Sequence, residues 1–244
     1  MNKLIWLVLF LLPLGSAAVP ITAQSWLVAT GDGKIIDGAN IKESRSIASI
    51  TKLVTVMVVL DAKQDPNERL TKYTRSELIQ LALVKSDNTA AKKLCDTYPG
   101  GDSRCIAAMN YKMHSMGLSA TKFVEPTGLS VMNISTAEEL VTIVLEAQKY
   151  PAIVEASRSS QIKIKIRKQW LVFNNTNPII GKRHDFIVSK TGYIRASGGC
   201  IVMLLDTDIG RRLVVVLGSK NTHTRIPEAE FIANNYWQES KLSV

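Results

Sequence analysis

Between Ile50 and Ala62 the chain is apolar at nearly every position. A helix with no polar face has nothing to show to solvent, so it belongs at the centre of a domain. At this length it falls well short of the roughly 20 residues needed to cross a bilayer. The rest of the chain must be arranged around it. Its first turn nevertheless carries a lysine, Lys52, and a buried lysine needs a reason. Ser49 stands three residues earlier, about one helical turn away, so the two side chains share a face and can touch.

Other elements read more conventionally. Ser25 to Thr30 and Lys34 to Ile36 flank Gly31-Asp32-Gly33 as a β-hairpin. Ser76 to Leu94 and Asp102 to Met116 read as helices, and Pro126 and Gly128 mark a loop. Ser135 is placed to cap a further helix, with Glu138 completing a capping box and the helix ending before Pro151. Phe186 to Tyr193, Cys200 to Asp206 and Arg211 to Ser219 form an antiparallel meander, followed by a helix from Glu228 to about Ser240. The pattern predicts an α/β (α+β) fold: one antiparallel sheet flanked by helices, with a helical subdomain. The chain shows no repeat, linker or low-complexity tract.

Met1-Asn2-Lys3, the apolar run Leu4 to Leu14 and Gly15-Ser16-Ala17-Ala18 follow the pattern of a secretory signal, with cleavage expected after Ala18. That makes residues 1–18 a signal peptide and residues 19–244 a single domain, periplasmic or secreted. A retained membrane anchor is the alternative, for which the apolar run is short. Any membrane or surface association of that domain is expected to be peripheral. Net charge is +9 with the cations scattered, which fits an anionic surface; no nucleic-acid module is present.

Cys95 and Cys105 can close a short loop through Tyr98-Pro99-Gly100-Gly101, or remain apart, leaving Cys200 as a buried thiol. His114, His184 and His223 lack metal-ligand spacing, so neither a metal nor another cofactor is expected. From Gln161 to Lys168, Ile162, Ile164 and Ile166 alternate with Lys163, Lys165 and Arg167, giving a strand with one apolar and one cationic face. The cations can be a rail for an anionic glycopeptide, or simply discourage edge pairing.

Three motifs occur in order: Ser49-Ile50-Thr51-Lys52, Ser86-Asp87-Asn88 and Lys190-Thr191-Gly192. The first two are common singly, and Ser119 with Lys122 repeats the first spacing. Order and setting are what matter. A serine hydroxyl is a weak nucleophile until a base takes its proton. Burial and the positive end of a helix both disfavour charge on Lys52, leaving an amine able to act. The backbone N–H of Ser49 faces outward at the same helix start, as an oxyanion donor. Ser86 could relay a proton between Lys52 and a leaving amine, and the Asn88 amide could hold a substrate carbonyl or orient Lys52. Lys190 offers a cation and Thr191 a hydroxyl to a substrate carboxylate. Gly192 would let substrate approach as an added strand, with the N–H of Tyr193 as second oxyanion donor.

The ordered triple is the motif set of class A β-lactamases and penicillin-binding proteins. Ser46 to Lys52, Tyr98-Pro99-Gly100-Gly101, Phe123 to Ser130 and Asn174-Asn175-Thr176-Asn177 add a resemblance to the small D-alanyl-D-alanine carboxypeptidases and endopeptidases, strongest to the endopeptidases. The resemblance implies a serine DD-peptidase on peptidoglycan stem peptides, with β-lactam antibiotics as covalent inhibitors. It implies Ser49 as nucleophile, Lys52 as base, Ser86 and Asn88 as second-motif residues, and Lys190 with Thr191 on the substrate carboxylate. The connection from Asp61 to Thr74 is shorter than the family pattern, which trims one wall of the cleft. A class A-like β-lactamase is the nearest alternative, prompted by Glu125-Pro126, but Leu129 stands where that pattern needs Asn. A non-catalytic wall-binding module is the other.

Overall fold

A computed structural model describes residues 21–182 and 185–235. The expected signal segment, His184 and the helix beyond residue 235 lie outside the described residues. The hairpin Ser25–Thr30 (β1) and Ile35–Ala39 (β2) leads to Arg45–Ser46 (β3), a 3-10 turn at Ala48–Ile50 and the central helix Thr51–Asp61 (α1). Arg75–Gln80 (α2) passes through a π-helical turn, Leu81–Lys85, before Asn88–Asp96 (α3) and Gly101–Ser115 (α4). Ile134–Ser135 (β4) pairs with β3, and Ala137–Ala147 (α5) and Pro151–Arg158 (α6) follow. A second hairpin, Gln161–Ile166 (β5) and Gln169–Asn174 (β6), precedes the meander Asp185–Ile194 (β7), Gly198–Thr207 (β8) and Gly210–Ser219 (β9). Arg225–Asn235 (α7) is the last described element.

The main sheet is antiparallel, in the order β2-β1-β9-β8-β7. Side chains alternate between its faces, and helices cover both. Val28, Ile201, Met203, Val214 and Val216 pack with Ile226, Ala229 and Ile232 of α7. Leu27, Val202, Leu204, Val215 and Leu217 join the larger core, which contains α1, α3, α4, α5 and α6. α1 is buried from Thr51 through Val59, as its composition demands. Each aliphatic side chain fully buried there contributes about 1.5–3 kcal/mol relative to exposure. The α+β architecture predicted from the sequence is the one observed, and among the described residues no helix is long and apolar enough to cross a membrane.

Several local expectations are corrected. Ser76 to Leu94 is not one helix: Ser86 takes a left-handed backbone with φ +60°, and Asp87 caps α3 by accepting from Ala90 N at 2.9 Å. Ser and Asp side chains compete for backbone groups and so break helices readily. The cap of α5 is Thr136, which accepts from Glu139 N, while Ser135 belongs to β4. The observed capping box lies at Thr74 and Glu77 instead. α5 does end ahead of Pro151, at Ala147, and Pro151 then opens α6 at its first position, where its missing N–H costs nothing. β5 has the expected apolar and cationic faces, and its partner β6 and the short β3–β4 pair are additions. Cys95 and Cys105 form a disulfide with Cα atoms 5.3 Å apart, joining α3 to α4, and Cys200 is a buried free thiol.

Candidate active site

Ser49 lies in the 3-10 turn ahead of α1, and the turn is formed under strain. Ala48 carries φ +45°, a region that non-glycine residues rarely enter. Two glycines from distant parts of the sequence press on it. A Cβ on Gly128 would stand 2.0 Å from Ala48 O, and one on Gly192 would stand 2.9 Å from both Ser49 N and Ile47 O. Only glycine permits backbones this close. Gly192 was expected to admit substrate to the strand; in the structure its bare flank accommodates the turn that carries Ser49.

Lys52, fully buried, reaches back along α1. Its Nζ donates to Ser49 Oγ at 2.8 Å, to Asn88 Oδ1 at 2.7 Å and to the Thr127 carbonyl. Burial lowers its pKa to about 8, against the opposing charges of Glu125 and Asp87. Those carboxylates do not touch the ammonium. Glu125 accepts from Thr127 N at 2.7 Å, Gly128 N at 2.6 Å and Asn133 Nδ2 at 2.9 Å, bracing the loop beside the nucleophile. Asn88 therefore orients Lys52, one of the two roles the sequence left open for it.

The second pair sits across from the first. Lys190, 1% exposed, donates to Ser86 Oγ at 2.8 Å and to the Thr191 carbonyl at 3.0 Å. Burial, joined by the charges of Lys52 and Arg225, pushes its pKa well below the ordinary lysine value. The Ser86 hydroxyl is thus engaged with Lys190 rather than with Lys52, as a relay would have it. Thr191 Oγ1 donates to Thr176 Oγ1 at 2.6 Å, and Arg225 Nη1 donates to Gly192 O at 2.7 Å. β7 is an edge strand with β8 as its only strand partner among the described residues, and Tyr193 on it is exposed.

Seven of the eight residues singled out from the sequence come together, six of them in two hydrogen-bonded sets, Ser49, Lys52 and Asn88, and Ser86 with Lys190 and Thr191, while Tyr193 simply follows Gly192 on β7. Gly192 joins them by packing on Ser49 N. Sequence reading missed three contributors, Thr127, Thr176 and Arg225, and weighed Glu125 only for a β-lactamase role. Thr127, Glu125 and Thr176 lie within stretches that carried the family resemblance, whereas Arg225 left no signal. No group of three or more His, Cys, Asp or Glu residues that could hold a metal occurs among the described residues. A nucleophile with a depressed amine beside it, facing a buried cation on an open strand edge, is equipped for acyl transfer to a serine.

A profile of the D-alanyl-D-alanine carboxypeptidase family matches residues 14–71 and 66–221. A D-alanyl-D-alanine endopeptidase of Pseudomonas aeruginosa is 34% identical, over 81% of this chain and 71% of its own. One from Escherichia coli is 33% identical, over 87% and 78%. Among solved structures, a Streptomyces DD-transpeptidase variant superposes with a TM-score of 0.81 at 21% identity, over 89% of this chain and 98% of that one. A penicillin-binding protein of Listeria monocytogenes in the ampicillin-bound form gives 0.78 at 22% identity, over 86% and 95%. Together with the ordered motifs, these matches show that the chain belongs to the D-alanyl-D-alanine carboxypeptidase family of serine peptidases.

Proposed function

We propose that the protein is an exported serine DD-peptidase that hydrolyses D-alanyl peptide bonds of peptidoglycan through an acyl-enzyme on Ser49. The observation that carries this reading is the 2.8 Å contact between Ser49 Oγ and the Nζ of a lysine whose pKa is lowered to about 8, with no carboxylate in contact. In the neutral state Lys52 accepts the Ser49 proton as Oγ bonds to the D-alanine carbonyl carbon. The N–H groups of Ser49 and Tyr193 receive the oxyanion; a donor of this kind contributes on the order of 3 kcal/mol. Lys52 returns the proton to the departing amine as the C–N bond breaks, and water then repeats the sequence to free the acid.

Lys190 and Thr191 hold the substrate carboxylate, with Ser86 fixing the ammonium. An arriving carboxylate supplies the negative charge that the buried Lys190 lacks, so binding favours its protonated form. The leaving amine belongs to a terminal D-alanine in the carboxypeptidase reaction or to a cross-bridge in the endopeptidase reaction, and both use this acyl-enzyme. β-Lactams acylate the same serine. Export to the periplasm or beyond is supported by the signal pattern of residues 1–18 and by the Cys95–Cys105 disulfide, which fits an oxidising compartment. The β-lactamase reading needs a glutamate free to activate water, and Glu125 is committed to its own loop.

Purified cross-linked and uncross-linked muropeptides, digested and resolved by mass, test the proposal and separate the two reactions. Ser49→Ala is expected to abolish both hydrolysis and labelling by fluorescent penicillin. Retained labelling would mean that another serine reacts, and absence of labelling in the unaltered protein would favour a wall-binding module.

A further inference from the structure

The hairpin β5–β6 takes no part in the chemistry above, yet its outer face is unusual for a solvated strand. Ile162 and Ile164 are buried, paired with Phe173 and Leu171 on the inner face. On the outer face Lys163 pairs with Val172 and Lys165 with Trp170. Trp170 is 62% exposed and Val172 51%, and Lys165 Nζ lies 5.8 Å from the Trp170 ring centroid. Arg167 and Lys168 continue the cations around the tip. None of these four cations has a carboxylate partner among the described residues. Guarding an edge requires charge alone; it gives no reason to hold a tryptophan and a valine in water between the cations.

The hairpin also adjoins the cleft. Just past β6, Thr176 N donates to Val84 O at 3.0 Å and its hydroxyl meets Thr191. Lys85, the residue before Ser86, lies 5.0 Å over the Phe173 ring. We propose that the outer face of β5–β6 docks the polymeric substrate: a glycan strand bearing carboxylate-rich peptides, with a sugar ring stacked on Trp170 and carboxylates met by Lys163, Lys165, Arg167 and Lys168. The inference rests on the peptidase reading. Interleaved single cations and one aromatic ring match an alternating saccharide and acidic peptide, whereas a bilayer calls for a contiguous apolar face with a basic rim.

The test separates docking from turnover. In a Ser49→Ala background, which holds the polymer without cutting it, co-sedimentation with purified sacculi is compared with and without Lys163→Gln/Lys165→Gln/Trp170→Ala. The triple substitution is expected to weaken binding about tenfold, and binding by its parent is expected to fall between about 50 and 500 mM salt. With Ser49 intact, the same triple variant is expected to turn over soluble cross-linked muropeptides within twofold of the unsubstituted protein while losing about tenfold on sacculi. Lys163→Arg/Lys165→Arg/Trp170→Tyr is expected to keep binding, which controls for folding. Unchanged sacculus binding by the folded triple variant, or an equal loss on soluble fragments, overturns the docking proposal. So does loss of binding to phosphatidylglycerol vesicles with sacculus binding intact. If the protein with Ser49 intact fails on soluble fragments but binding still depends on the hairpin, the peptidase reading falls and the docking face stands.

Discussion

The two ends of α1 each meet a lysine with three oxygen partners, and the outcomes are opposite. Near the start, Lys52 donates to a hydroxyl, an amide oxygen and a carbonyl. At the last residue, Asp61 receives Lys112 at 3.1 Å, and Lys112 also reaches Glu146 at 3.4 Å and Tyr150 Oη at 2.8 Å. Burial opposes charge on both. At Lys112 the hydrogen bonds and charges of Tyr150 and Asp61 overcome it and raise the pKa, whereas at Lys52 the desolvation goes unanswered and the pKa falls to about 8. The helix dipole adds to the contrast, since its positive end lies at Lys52 and its negative end beside Asp61. Neutral partners make a lysine a base; carboxylates make it a strut.

Replacing each lysine by an uncharged chain of similar shape breaks the comparison most directly. Lys52→Met is expected to slow penicillin acylation by on the order of 10³–10⁴. It should also raise the melting temperature at pH 7 by a few degrees, about 1 kcal/mol, because below about pH 8 the folded state carries the cost of a buried ammonium. A melting temperature that falls would show that the three oxygens repay the burial of the charge.

The turn that aims Ser49 at this amine supplies the next effect. Gly128→Ala puts a methyl group into Ala48 O at a backbone φ of +83°. Displacing the turn by about an ångström is expected to cost about 10²-fold in acylation, measured by stopped-flow with a chromogenic cephalosporin. Activity within threefold would mean that the loop, and not the turn, yields.

The acylation rate of the unaltered protein is expected to drop about tenfold per pH unit below 8 and to level above it, since Lys52 must be neutral to act. A plateau reaching down to pH 6 would remove Lys52 as the base. The smallest effect belongs to Lys112→Met, expected to lower stability by about 1 kcal/mol in a thermal melt, with acylation within twofold. Its folded pKa is raised, so this contribution is present at neutral pH and is lost only as pH climbs above the ordinary lysine value. Opposite signs for the two Lys→Met melts would make the contrast quantitative.

Much of this was legible from residues alone. The apolar stretch after Ser49 dictated a central helix, and that burial made Lys52 anomalous before any neighbour was known. The meander β7–β9 was readable because apolar strands separated by short turns permit few alternatives. What sequence concealed depends on contacts between distant segments. Nothing near Arg225 announces that its guanidinium meets Gly192 O, and spacing could not say whether Ser86 would turn to Lys52 or to Lys190. The left-handed backbone at Ser86 decides that question, in a stretch where helical periodicity alone predicted an unbroken helix. Pro151 correctly marked the end of α5, but nothing in the sequence reading anticipated that it also opens α6.

The fit of Gly192 against Ser49 N has a bearing on the order in which the molecule matures. The nucleophile is synthesised before the strand that moulds its turn, and Arg225, which holds that strand's carbonyl, comes later still. A chain whose β7 has not yet joined the sheet therefore lacks the contact that moulds the turn carrying Ser49. Competence at Ser49 is accordingly a property of the closed sheet and not of the first motif alone.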